Sequence, residues 1–145
     1  MKYSTLFAVL ASAAYAGGPL QLHPLNQPQV EGSSCSFWLD GTDGEKDYFE
    51  WDLLADGWIN LGGSDVKLAF VRDEQATQPA GQTALGSSHV LTFAGPGVSL
   101  VLEARITRVC PEGDDSCEAW HEAGEIRVTS DGQTYSAPVR GICGS

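Results

Sequence analysis

The side chains that could do covalent or acid–base chemistry in this chain are three histidines, four cysteines and nineteen carboxylates. Nucleophilic catalysis needs a serine, threonine or cysteine beside a base that a third group orients, and no G-x-S-x-G elbow is present. His23 precedes Pro24 in a proline-rich stretch and His121 follows Trp120 near a cysteine, where both are expected to be solvated. His89 shares a strand face with Leu91 and Phe93, which predicts a packed or rim histidine. Glycoside hydrolysis needs two carboxylates about 5 to 9 Å apart across a cleft. Among nineteen acidic residues some pair meets that spacing by chance, so it identifies nothing. The expectation is a chain that is not an enzyme, has no catalytic residues and takes no cofactor.

Cys35, Cys110, Cys117 and Cys143 are an even set, and in an exported chain that argues for disulfides. Three connectivities exist. Cys110 with Cys117 and Cys35 with Cys143 is favoured, because the first pair closes a short loop containing Pro111 and Gly113 and the second ties the first strand to the last. Chain-entropy arithmetic gives about 2.5 kcal/mol for the short loop and about 4.8 kcal/mol for the long one. There is no C-x-x-C pair, so a zinc site is not expected.

Two acidic clusters stand out. Asp40, Asp43, Glu45, Asp47, Glu50 and Asp52 fall close together with only Lys46 among them. Calcium is one reading, but the EF-hand pattern fails because the sixth residue from Asp40 is Glu45 rather than glycine. Asp and Gly also suit a hairpin turn for backbone reasons, so the turn is expected and no metal. The second cluster is Glu112, Asp114, Asp115, Glu118, Glu122 and Glu125, with no Lys or Arg between Arg108 and Arg127. A loop of one sign, held by a disulfide, suits a cationic partner, because complementary fields raise the on-rate and orient the encounter. Trp38 and Tyr48, with Trp58 and Trp120, are read as outward aromatics able to anchor an interface or stack on a sugar ring, and Trp51 as core.

The elements that must hold these residues are read from pattern. Residues 1–16 carry Lys2, an apolar run from Leu6 to Ala14 and small residues at Ala14 and Ala16, the pattern of a signal peptide. Residues 17–34 contain three of the seven prolines and read as an extended arm or linker, and 35–145 as a single β domain. The net charge of −11 excludes electrostatic nucleic-acid binding. No run of 18 apolar residues exists, so no membrane insertion is expected.

From Cys35 onward apolar residues alternate with period two. About eight short strands are expected, with turns at 40–44, 62–65, 95–97 and 131–132, and a long loop at 73–88. A three-residue loop would set Phe37 against Trp51, a four-residue loop Leu61 against Val66, and Asp131-Gly132 would set Val128 against Tyr135. Ser116 as N-cap and Gly124 as stop predict a short helical turn over 116–122. The fold class is all-β, a small antiparallel barrel or sandwich, with the barrel preferred because closure removes exposed edges.

An export signal, a small disulfide-bonded β-barrel and strong acidity together resemble the general plan of the periplasmic inhibitors of c-type lysozyme, which oppose a basic enzyme. The resemblance is architectural: Ser87-Ser88-His89 lacks that family's Gly-basic-Tyr continuation, so no functional residue carries over. The expected function is that of a secreted or periplasmic binding protein, an inhibitor or immunity factor. It would engage a basic protein through Glu112, Asp114, Asp115, Glu118, Trp120, Trp38 and Tyr48. The alternatives are a carbohydrate-binding module that uses the aromatics on a glycan, and a calcium-stabilised structural domain.

Overall fold

A computed structural model describes residues 19–71 and 84–144. The expected signal peptide and most of the expected loop at 73–88 lie outside the described residues. Among the described residues there are nine strands: β1 (Leu22–His23), β2 (Ser34–Leu39), β3 (Phe49–Trp51), β4 (Asp56–Leu61), β5 (Ser64–Val71), β6 (Ser88–Gly95), β7 (Val98–Arg108), β8 (Ala119–Ser130) and β9 (Gln133–Gly144). Each of β2 to β9 pairs antiparallel with its neighbour in sequence, and β2 pairs with β9. The result is a closed eight-stranded meander barrel, with β1 added on β4 beyond the end of β3.

Alternation decides which face is inside. Phe37, Phe49, Ile59, Leu68, Phe93, Leu100, Leu102, Ile126, Val128 and Val139 are buried in the interior. Phe49 meets Phe93 edge-on at 5.1 Å between ring centres, and Trp51 packs on Phe70 and Phe93 at 5.4 and 5.7 Å. Glycines make room for these rings: a Cβ at Gly141 would come within 2.5 Å of the Phe37 ring, and one at Gly57 within 2.8 Å of Phe49. The barrel centre is therefore a filled core.

Tight turns fix the register. At β8–β9, Asp131 and Gly132 have φ of 50° and 76°, and Val128 faces Tyr135 as the sequence predicts. Two other hairpins keep the expected faces but slide by two residues. Gly62 and Gly63, both at positive φ, form a two-residue turn, so Ser64 and Asp65 are strand and Ile59 faces Val66. In the first hairpin Phe37 faces Phe49 and Cys35 faces Trp51, because the turn region extends to Tyr48.

The short helix over 116–122 does not form. β8 begins at Ala119 and runs through Gly124, where a Cβ would sit 1.8 Å from the Glu103 carbonyl oxygen. Gly124 is thus a close-approach residue between strands rather than a helix stop. The arm also differs from a linker. Leu20 N–H donates to Gln133 Oε1 at 2.9 Å, Asn26 N–H to Asp65 Oδ1 at 2.9 Å, and Gln29 and Val30 N–H to Glu50 Oε2 at 2.9 and 3.1 Å. These bonds hold the arm on the barrel, where Leu22 is buried in the core cluster with Leu20 packed against it and Glu50 is only 4% exposed beneath the Gln29–Val30 segment.

Asp47 lies beside Glu50, and burial together with that neighbouring carboxylate pushes the Asp47 carboxyl up to about 6. A carboxyl whose pKa rises on folding binds its proton more tightly in the folded chain. Its contribution is fully present below about pH 4, the unfolded value, and is lost as pH rises to about 6. Because Asp47 is half-exposed, screening reduces the loss to about 1 to 2 kcal/mol. Asp47→Asn should therefore leave the protein more stable than the parent at pH 7.5, relative to their difference at pH 4. Urea denaturation at the two values checks this, and parallel shifts in both proteins would refute it.

Candidate functional site

The closed meander has two ends. One carries the tight connections 62–63, 96–97 and 131–132 and the longer 40–48 loop. The other carries the connections after β3 and β7, residues 52–55 and 109–118, and residues 84–87 ahead of β6. Both disulfides lie at this second end. Cys35–Cys143 joins registered neighbours on β2 and β9 inside the barrel, and Cys110–Cys117 clamps the β7–β8 loop with its Cα atoms 5.6 Å apart. This is the expected connectivity, and it is compatible with an oxidising environment.

The clamped loop is built from consecutive turns. Asp114 N–H donates to the Pro111 carbonyl at 3.1 Å and Cys117 N–H to the Asp114 carbonyl at 3.2 Å, with Gly113 at φ 82°. Asp114 Oδ1 accepts the Ser116 hydroxyl and, at 3.1 Å, the Ser116 N–H. These bonds, the hydroxyl first, hold the Asp114 carboxyl below the usual carboxylate range. Glu112, Asp114, Asp115 and Glu118 are all exposed.

The seven residues assigned to partner binding do not form one surface. The four loop carboxylates sit together. Trp120 lies below them and faces into the barrel, half-buried against the core, with its Nε1–H donating to Glu122 Oε2 at 3.1 Å. It is not an outward anchor. Trp38 is at the opposite end, half-buried, with its indole against Gly44. Tyr48, also there, packs on the core beside Tyr135 rather than facing outward. A cleft of about 390 Å³ at that end is lined by Pro24, Thr42, Asp43, Glu45, Lys46 and Tyr48.

The first acidic cluster mostly serves the chain's own donors. Asp40 pairs with Arg140 at 3.0 Å, and Asp43 Oδ1 accepts Glu45 N–H at 3.0 Å. Asp52 Oδ1 accepts the N–H groups of Leu54, Ala55 and Asp56 at 2.9, 2.8 and 3.0 Å, and Glu50 holds the arm. The geometry is that of turn and strap caps.

One constellation was not legible at the sequence level. Inside the second end, Glu122 is 3% exposed, and its Oε1 is 2.6 Å from His89 Nε2. Its Oε2 takes the Trp120 N–H and lies 2.9 Å from Cys143 Sγ and 4.0 Å from Cys35 Sγ. The His89 contact is close but not aligned, so among the described residues His89 Nε2 and Glu122 Oε1, like Trp51 Nε1, have no aligned hydrogen-bond partner. Ser87, two residues before His89, gives its hydroxyl to the Ala84 carbonyl at 2.6 Å. The available signal was parity: His89 keeps the face of Leu91 and Phe93, and Glu122 keeps that of Ile126 and Val128 once the strand is carried back through Gly124.

Compared with protein-family models, with curated proteins and with solved structures, the chain finds no significant match.

Proposed function

We propose that this chain is an exported, non-catalytic binding domain that captures a basic protein through the Cys110–Cys117 loop. The observation that supports this reading is the loop itself. Three exposed carboxylates, Glu112, Asp114 and Asp115, stand on two hydrogen-bonded turns inside the disulfide loop and a fourth, Glu118, directly follows Cys117, with no Lys or Arg from 109 to 126. Such a loop presents its charge in a fixed geometry, which lowers the ordering cost of docking, and the charge steers the encounter. The Asp114 carboxyl, held below its usual range by its Ser116 hydrogen bonds, keeps its own charge into mildly acidic media.

The test uses the oxidised full chain and a triple variant, Glu112→Gln, Asp115→Asn and Glu118→Gln, which leaves the Asp114 turn intact. Each is immobilised, exposed to an envelope or secretome extract and eluted with salt. The parent should retain a basic protein that leaves at moderate salt. The variant should bind it about tenfold more weakly, with a flatter dependence on salt. Identical elution from the two surfaces would remove the loop as the contact.

A further inference from the structure

We infer that the reduced chain holds a divalent metal ion inside the barrel, with Cys35, Cys143 and Glu122 as ligands and His89 as the fourth. The inference is independent of the acidic loop and starts from the unsatisfied state of the buried groups. The two sulfurs and a Glu122 oxygen already lie within 4.8 Å of one another, and all three residues are buried. Glu122 is almost fully buried, yet among the described residues Trp120 Nε1 is its one aligned donor. A disulfide sulfur carries no proton, so the 2.9 Å contact between Cys143 and Glu122 Oε2 gives the carboxylate nothing. His89 Nε2 stands 2.6 Å from the other oxygen, an ion pair only when the imidazole is protonated, and makes no aligned hydrogen bond to it. A buried carboxylate with so little compensation is costly, and a cation among these groups would answer all of them at once.

The donor set selects the ion. Two thiolates, one imidazole and one carboxylate suit tetrahedral zinc, with distances of about 2.3 Å to sulfur and about 2.0 to 2.2 Å to nitrogen and oxygen. Trp120 already occupies the supporting position, because a ligating carboxylate is ordinarily held by an outer hydrogen bond. Reduction by a phosphine breaks the Cys35–Cys143 bond. The phosphine takes an oxygen from water to become its oxide, and each sulfur receives one of that water's protons. Zinc binding then releases both thiol protons to solvent. The ion would link β2 to β9 where the disulfide links them in the oxidised chain.

The experiment uses the full chain carrying Cys110→Ser and Cys117→Ser, so that only one cysteine pair remains. It is refolded with a phosphine reductant and titrated with cobalt(II), then with zinc. One cobalt per folded chain is expected, with thiolate-to-cobalt charge transfer and the strong visible bands of tetrahedral cobalt, all displaced by zinc. Glu122→Gln and His89→Ala should each change those bands and weaken binding by about tenfold or more. Zinc-edge absorption on the parent, which needs no variant, should count two sulfurs and two lighter ligands, one of them imidazole. A folded reduced chain that takes up no cobalt would overturn the inference. So would uptake without thiolate bands, a chain that stays unfolded with and without metal, or a zinc edge showing sulfur alone.

Discussion

Replacing Cys35 and Cys143 together by alanine should lower the stability of the oxidised protein by about 5 kcal/mol, the largest effect expected from removing one covalent feature. The bond spans a sequence separation of 108, so in the chain-entropy account it removes much of the freedom of the unfolded chain. Both cysteines are 1% exposed, so the alanines also leave space beside Glu122 that the rigid interior does not refill. Removing Cys110 and Cys117 should cost no more than about 2.5 kcal/mol, because the sequence separation is 7 and the loop is at the surface. Urea midpoints of the two double variants, measured at equal slope, give the comparison. A greater loss from the surface pair would contradict the assignment of the β2–β9 bond as the principal clamp.

Gly124→Ala should cost about 3 kcal/mol or more, although it adds a single methyl group. Gly124 faces Ala104 across β7 and β8, and its Cβ would fall 1.8 Å from the Glu103 carbonyl oxygen and 2.7 Å from the Ala104 Cα. Both are backbone atoms, so no side-chain rotation relieves the clash and the strands must part at the centre of the sheet. Gly97→Ala is the contrasting variant. It has open space around it and a φ of 71°, so its cost is limited to about 1 kcal/mol of left-handed backbone strain. Thermal and urea denaturation of both variants read the difference, and equal losses would show that β7 and β8 tolerate wider spacing at Gly124.

Strand faces were legible in the sequence because the barrel buries one side of every strand, so the period of two survives wherever the interior is apolar. The Asp131-Gly132 register was legible for a local reason, since two residues at positive φ suffice to define that turn. The register at Gly62-Gly63 was not, because Ser64 and Asp65 look like loop residues. Asp65 is polar in a strand because it accepts the Asn26 N–H and an Asn60 amide hydrogen, a task set by the arm. Trp120 and Glu122 were misplaced by the same kind of ambiguity. Ser116 and Gly124 fit helix punctuation, while the real reason for Gly124 is a neighbouring strand more than a dozen residues away in sequence. The cluster of His89, Glu122 and the disulfide joins β6, β8, β2 and β9, and no local spacing announces it.

The seam between β2 and β9 also sets an order on how the chain reaches this structure. The pairings from β4 to β9 join strands that follow directly in sequence, most of them across turns of two residues, and such hairpins close on a microsecond scale. The seam instead joins the earliest barrel strand to the latest, the kind of distant contact that slows folding. A chain delivered amino end first can build a curled sheet but cannot close it until residues 133–144 arrive. Until then β2 offers an unpaired edge, and Cys35 has no partner close by. The interval between delivery of β8 and delivery of β9 is therefore when this protein is most exposed to pairing with another copy of itself.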